Sequence, residues 1–202
     1  MKTHHKNSER IVTRVFEDVF EKYDLMNDLM SLGVHRLWKK QFINWLNPQK
    51  NTKLLDVASG TGDISKLYLK KINYKGLAYC VDENKGMLNL NKKKVLNSNN
   101  TKWFCNNAEA LPFEKNYFDY YTISFGIRNV QNINIALREA YRVLKPGGRF
   151  LCLEFSKVQN NILKKFYNQE DFYKKIKKEN FVNVSYRNLT GGIVAIHSAW
   201  KV

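Results

Sequence analysis

Lys53-Leu-Leu-Asp-Val-Ala-Ser-Gly-Thr-Gly-Asp-Ile-Ser65 is the stretch whose reading decides the fold. Leu54, Leu55, Val57 and Ala58 form a short apolar run that stops at glycines, as a strand buried on both faces does. From Asp63 to Ile72, the apolar residues Ile64, Leu67, Tyr68 and Ile72 return at helical spacing. The segment therefore reads strand, Gly-rich turn, helix. Gly60 and Gly62 let the backbone approach a ligand with no Cβ in the way. A ligand at that turn lies over the C-terminal end of the first strand, the usual place in an open α/β sheet.

Several nucleotide folds share this architecture, and the neighbouring residues separate them. A dinucleotide fingerprint needs a third glycine three residues after Gly62, where this chain has Ser65. The Gly-Lys-Ser/Thr of a P-loop is absent. A second strand follows at Gly76-Leu-Ala-Tyr-Cys-Val-Asp82-Glu83. Asp82 falls about twenty residues beyond the glycines, where an acid can accept both hydroxyls of a ribose. Asp56 in the first strand, Gly-Thr-Gly, and Asp82 ending the second strand together resemble the S-adenosylmethionine (SAM) site of class I methyltransferases.

The chain has 202 residues, 44% of them hydrophobic, which suits one compact domain with a substantial core. No apolar stretch reaches transmembrane length, and Met1-Lys-Thr-His-His-Lys-Asn-Ser-Glu-Arg10 has no signal-peptide core. A cytoplasmic protein is expected. Cys80, Cys105 and Cys152 fall in predicted strands without Cys-x-x-Cys spacing, so reduced and buried thiols are expected. The net charge of +16 invites a nucleic-acid partner. Yet the lysines are scattered, and runs such as Lys92-Lys93-Lys94 and Lys174-Lys175 fall on polar helix faces with few aromatics between them. Nucleic acid is disfavoured, attraction to an anionic membrane surface fits better, and a compositional bias toward Lys and Asn accounts for the charge most simply.

Ser8 can cap a helix from Glu9 to about Tyr23. Gly33 separates a short helix from a longer one over His35 to Trp45, which Asn47-Pro48 ends. Helices ahead of the first strand are expected to cover a sheet edge or the ligand mouth. A helix is predicted over Asn84 to Asn97, a third strand from Lys102, a fourth over Tyr117 to Gly126 and a helix over Ile133 to Leu144. Lys145-Pro-Gly-Gly148 stops that helix before a fifth strand over Arg149 to Phe155. A further helix over Gln169 to Asn180 leads to a terminal hairpin of Phe181–Leu189 and Ile193–Trp200. The expected fold is α/β, a doubly wound, seven-stranded, mostly parallel sheet with N-terminal helices and a C-terminal β-hairpin. Residues 1–50 read as a helical cap and 51–202 as the SAM-binding core.

Lys22-Tyr-Asp-Leu-Met-Asn-Asp28, His35-Arg-Leu-Trp38, Asn107-Ala-Glu-Ala-Leu-Pro-Phe113, Ser124-Phe-Gly-Ile-Arg-Asn-Val130, Leu153-Glu-Phe-Ser-Lys157 and Tyr186-Arg-Asn-Leu-Thr-Gly-Gly-Ile-Val-Ala-Ile-His197 carry a closer likeness. With Leu55–Asp63 and Arg142-Val-Leu-Lys-Pro-Gly-Gly148, the chain resembles the C-methyltransferases of ubiquinone and menaquinone biosynthesis over nearly its whole length. The resemblance implies a Rossmann-like class I methyltransferase that uses SAM to methylate a ring carbon of a polyprenyl benzoquinol or naphthoquinol. It implies that Thr61 and the Gly60 and Gly62 backbone face the methionine part of SAM, and that Asp82 binds the ribose. Asn107 and Ala108 would flank the adenine, and Ser124 would close the site near the methionine end. Asn107 and Ser124 read equally as turn caps when taken singly.

Arg128 and Asn129, just past the fourth strand, are the implied catalytic pair. An arginine stays protonated, so it can hold an oxyanion or orient a water but makes a poor base. Tyr23, Asp24, Met26 and His35 are implied on the quinol side, with His35 alternatively a packed helix-capping residue. The histidines lack metal-ligand spacing. The implied partner is a lipid-tailed quinol, with a membrane surface, a second copy or other quinone-biosynthesis proteins as further partners and a place at the inner membrane face. One departure stands out: Ser156 to Gln169 is short where the family has further helices over the substrate. That leaves an alternative, a SAM-binding module of a quinone-biosynthesis assembly with weak or no turnover.

Overall fold

The computed structural model describes residues 33–86, 99–156 and 168–202. Helix α1 (His35–Leu46) precedes β1 (Thr52–Val57), α2 (Asp63–Lys71), β2 (Gly76–Asp82) and β3 (Thr101–Cys105). Then come β4 (Phe118–Ser124), α3 (Ile133–Val143), β5 (Leu144–Phe155), α4 (Gln169–Lys178), β6 (Val182–Leu189) and β7 (Val194–Trp200). The strands form one seven-stranded sheet in the order β3-β2-β1-β4-β5-β7-β6. Pairs from β3 through β5 are parallel, while β7 runs antiparallel to both β5 and β6. The expected doubly wound, mostly parallel sheet with a terminal hairpin is the observed fold.

Alternation along the strands sorts the core into two layers. Leu54, Ala78, Tyr120, Leu151 and Leu153 pack against Trp38, Phe42 and Leu46 of α1 and Ile64, Tyr68 and Leu69 of α2. Their neighbours Leu55, Tyr79, Tyr121, Phe150 and Cys152 face α3 and α4, through Ala136, Leu137, Ala140, Phe172 and Ile176. Both faces being covered explains why β1 is apolar without a polar side. The chain leaves β1 toward β2 on one flank and later returns to β4 on the other. The strand order therefore reverses between β1 and β4, and the crevice of the sheet opens over their C-terminal ends.

Three expectations need correction. First, α1 covers no sheet edge, and only its N-terminal part, through Trp38, reaches the mouth beside Phe125 and Phe155. It lies on a sheet face beside α2, fixed by the Lys39 ammonium at 2.7 Å from Asp63, because Trp38, Phe42, Ile43 and Leu46 give it a buried stripe. Second, β5 starts at Leu144 rather than Arg149, since Leu144 already pairs with Phe118. The Pro-Gly-Gly segment turns within it, with Gly147 at a φ of 77°. Third, Cys80 and Cys152 are buried free thiols as expected, but Cys105 is exposed, because it ends β3, the edge strand of the sheet. The predicted helix at Glu9–Tyr23 and most of the one at Asn84–Asn97 lie outside the described residues. Among the described residues no helix is long and apolar enough to cross a membrane.

Candidate active site

The exits of β1 and β4 are both bent sharply at the crevice. Ala58 leaves β1 at a φ of 51°, followed by Gly60 at 51° and Gly62 at 76°. Phe125 leaves β4 at 55°. A left-handed conformation at a residue with a side chain costs on the order of 1–3 kcal/mol and is usually found where the surroundings demand it. Gly126 is needed for space rather than for its φ: a Cβ there would lie 2.4 Å from the Ala58 Cβ. The two exits thus touch backbone to side chain, and the polypeptide has no room for anything larger.

Over β1 and β2 the site is made mainly of turn backbone. The Asp82 carboxylate accepts hydrogen bonds from the Gly60 amide at 2.8 Å and the Asn84 amide at 2.9 Å. This ties the end of β2 to the glycine turn. The Ser59 amide donates to the Val81 carbonyl at 3.1 Å and the Gly62 amide to the Ser59 carbonyl at 2.8 Å, which tightens the turn into α2. Below it, Asp56 is 1% exposed and accepts from the hydroxyls of Thr122 at 2.9 Å and Ser65 at 3.0 Å. Burial pushes its carboxyl up to about 7, against the two hydroxyls that pull it down. Asp56 therefore props the turn from inside the sheet, at a position sequence reading could not separate from the groove. Asp63 behaves oppositely. Its partial burial is outweighed by the Lys39 charge and by hydrogen bonds from Lys39 and Thr61, which hold it below the usual carboxylate range.

Asn107 caps its own turn, its side-chain oxygen accepting from the Glu109 amide at 2.7 Å, and Ala108 beside it is buried. The turn-capping alternative for Asn107 is thus realised for its oxygen. The Ser124 hydroxyl at the end of β4 is buried with no hydrogen-bond partner. Leaving a buried hydroxyl unmade costs about 1–3 kcal/mol, so such an atom points to something that completes it.

Over β4 and β5 the site is made of side chains. Residues Ile127–Asn129 form one 3₁₀ turn, which carries Arg128 back toward β5 while Asn129 faces solvent. The Arg128 guanidinium lies 2.5 Å from the Glu154 carboxylate and 5.7 Å from the centre of the Phe155 ring. Phe125 and Phe155 sit 4.9 Å apart, and Trp38 of α1 meets them at 6.3 and 6.1 Å. The Trp38 indole N–H donates to the Thr190 hydroxyl at 2.8 Å, which closes this wall from the hairpin side. His35 is buried in the first turn of α1 without a side-chain cap, Val34 being the N-cap residue. It lies near Asp63 of α2, whose carboxyl its charge helps to lower. Tyr23, Asp24 and Met26 lie outside the described residues.

Glu154 is the site residue that sequence reading passed over. The signal was present in Leu151-Cys-Leu-Glu-Phe155, an acid inside an otherwise apolar strand. Such a residue is buried at a cost unless a cation meets it. Two carboxylates therefore punctuate the C-terminal edge of the sheet, Asp82 serving a turn and Glu154 serving an arginine.

The sequence profile of the ubiE/COQ5 methyltransferase family matches residues 2–173 and 163–201. The chain is 46% identical over 240 residues to the ubiquinone/menaquinone biosynthesis C-methyltransferase UbiE of Rickettsia prowazekii, covering 100% of this chain and 96% of that one. It is 42% identical over 261 residues to the mitochondrial 2-methoxy-6-polyprenyl-1,4-benzoquinol methylase of Dictyostelium discoideum, covering 98% and 83%. The fold matches a SAM-dependent methyltransferase from Aquifex aeolicus with a TM-score of 0.73 at 19% identity, over 81% of this chain and 89% of the other. The Rickettsia alignment is longer than this chain of 202 residues, and the two profile matches overlap near residues 163–173. The chain is thus shorter there than its relatives.

Proposed function

Because the chain belongs to the ubiE/COQ5 methyltransferase family, we propose that it methylates a ring carbon of a polyprenyl benzoquinol or naphthoquinol with SAM as donor. The observation that carries the reading is the division of the C-terminal edge. The β1–β2 half offers a carboxylate and glycine backbone, the β4–β5 half an arginine beside an aromatic wall, and the partnerless buried Ser124 hydroxyl stands at the end of β4 between them. The first half fits SAM. Each Asp82 oxygen keeps a lone pair for a ribose hydroxyl after accepting its amide, and Ser124 has a hydroxyl to complete. Thr61 and the Gly60–Gly62 backbone would meet the methionine end, with Asn107 and Ala108 beside the adenine.

SAM would supply an electrophilic methyl group, whose bond to the sulfonium sulfur breaks with the electron pair left on sulfur. The ring carbon of a quinol whose hydroxyl has lost its proton to solvent takes the methyl, and that carbon then releases its hydrogen as a proton to water so that the ring is aromatic again. The chain has three tasks in this step. Phe125, Phe155 and Trp38 would hold the quinol ring by its apolar faces, so that one carbon meets the methyl group in line. Arg128 would stabilise negative charge on the quinol oxygen, which makes the ring carbon nucleophilic. Asn129, exposed at the rim, would hydrogen-bond that oxygen or a water on it, and His35 would border the quinol from α1. The lipid tail would be drawn from a membrane surface, which the net charge of +16 favours.

Calorimetric titration with SAM, with methyl transfer to a short-tailed demethyl-quinol assayed on the same sample, tests the reading. Binding followed by methylated product supports it. Binding with no product from either a benzoquinol or a naphthoquinol would remove the substrate half of the proposal.

A further inference from the structure

Among the described residues, Arg128, Arg142 and Arg149 are held firmly, and they are held differently. Arg142 donates to the carbonyls of Phe113 at 2.6 Å and Leu111 at 3.0 Å as well as to Glu139. Arg149 donates to the carbonyls of Trp45 at 2.5 Å and Leu46 at 3.2 Å and to the Ser198 hydroxyl at 3.0 Å. Both stitch distant backbone together and act structurally. The described partners of Arg128 are instead a carboxylate and a ring, at the rim of the crevice.

Glu154 is 8% exposed and spends its oxygens at this point. One accepts from the Arg128 guanidinium at 2.5 Å and the Phe155 amide at 2.9 Å, and the other from the Arg128 amide at 3.4 Å. Side chain and backbone of Arg128 are thus fixed by one carboxylate, and the Phe155 ring lies beneath the guanidinium. Stability does not account for this. Replacing a buried ion pair by apolar residues of similar volume is often neutral or stabilising. The surrounding strand is apolar and would accept such a replacement. What the pair does provide is a fixed place for a cation that otherwise has four rotatable bonds.

We propose that Glu154 is the positioning residue of the methyl-transfer site, clamping Arg128 so that its charge meets the quinol oxygen at a set place. The inference rests on the reading of Arg128 as the oxyanion-stabilising group. A preorganised cation needs no ordering during the reaction, and an angstrom of misplacement is worth about a hundredfold in rate. The clamp requires an ionised Glu154, whereas burial raises its carboxyl despite the Arg128 charge and three N–H donors. Among the described residues the groups facing it are Arg128 from the 3₁₀ turn and Cys152 from its own strand, whose thiol burial drives up and keeps neutral. The rate should therefore carry an acid limb that belongs to Glu154.

The test compares the wild type with Glu154→Gln, Glu154→Asp, Arg128→Ala and the Arg128→Ala/Glu154→Gln double variant. In the wild type, arginine side-chain NMR should resolve hindered guanidinium protons of Arg128, assigned by their loss in Arg128→Lys. Glu154→Gln should collapse them, a readout that needs no turnover. With a short-tailed quinol, Glu154→Gln should lower kcat about 10- to 100-fold with SAM affinity unchanged, and it should abolish the acid limb. Glu154→Asp should restore part of the rate, and Glu154→Gln should add nothing in the Arg128→Ala background. Unchanged guanidinium signals in Glu154→Gln would overturn the clamp whatever the activity. Collapsed signals with undiminished kcat, or additive losses in the double variant, would overturn its role in catalysis. A wild type with hindered signals and no methyl transfer would count against the quinol reading and leave the clamp standing.

Discussion

The two halves of the crevice are built from different materials. Over β1 and β2, position is set by backbone: a glycine turn bonded to Asp82, 22 residues from Gly60 in sequence, at the end of the adjacent strand. Over β4 and β5, position is set by side chains: an ion pair between residues 26 apart, seated on an aromatic wall. Backbone construction suits a ligand of fixed shape, since turn geometry changes little with the residues around it. Side-chain construction suits a ring whose charge changes during the reaction, because a guanidinium can answer that charge. On the proposed reading, the first half holds the cofactor and the second acts on the ring.

Removing a group from one half should leave the other working. The largest effect is expected from Arg128→Ala, with kcat down about 10²- to 10³-fold as for a lost oxyanion donor. Its SAM affinity, measured by calorimetry, should stay within about twofold if the halves are separate. The mirror change, Asp82→Ala, should weaken SAM binding by about a hundredfold, the loss of charge-assisted hydrogen bonds. Its kcat at saturating SAM should be nearly kept. A joint fall of kcat and affinity in either variant would break the distinction.

A third change acts beneath the turn. Asp56 is raised to about 7 in the fold from 3.8. The folded chain therefore holds a proton there that the unfolded chain has released between about pH 4 and pH 7. Stability contributed at Asp56 is then largest below pH 4, falls as pH rises toward 7, and is level above it. Urea midpoints of the wild type and Asp56→Asn should diverge in favour of the variant by roughly 2–3 kcal/mol between pH 5 and pH 8, at about 1.4 kcal/mol per pKa unit. A pH-independent difference would show that the carboxyl stays ionised. The smallest effect belongs to Ser124→Ala. Its hydroxyl is buried without a partner, so its removal should stabilise the unliganded protein by about 1 kcal/mol, while SAM affinity should drop a few-fold if the cofactor completes that atom.

Sequence reading recovered the backbone half almost entirely, because glycines, strand-ending acids and apolar runs are local signals. Gly60, Gly62 and Asp82 stand together at one turn as expected, and all seven strands are found within a few residues of their predicted bounds. It recovered the side-chain half only in part. Arg128 was named from the family resemblance and its place after β4, but its tie to Glu154 joins the 3₁₀ turn to β5, and such a contact leaves no periodic trace. Asp56 shows a different gap. An acid near the end of a buried strand reads as a ligand contact, and only the hydroxyls of Thr122 and Ser65 on either side show that it is a prop. The placement of α1 was misread because its apolar stripe names a buried face without naming the surface that buries it.

The meeting of Ala58 and Gly126 sets a gauge for the whole crevice. One hydrogen atom, where any other amino acid has carbon, fixes how closely the donor and acceptor sides of the crevice approach. In-line transfer tolerates little change in that span. The width of this joint is therefore a design parameter in its own right, adjustable by neither half alone. Whoever reshapes the crevice for a bulkier ring will find the limit here, at two small residues pressed against each other.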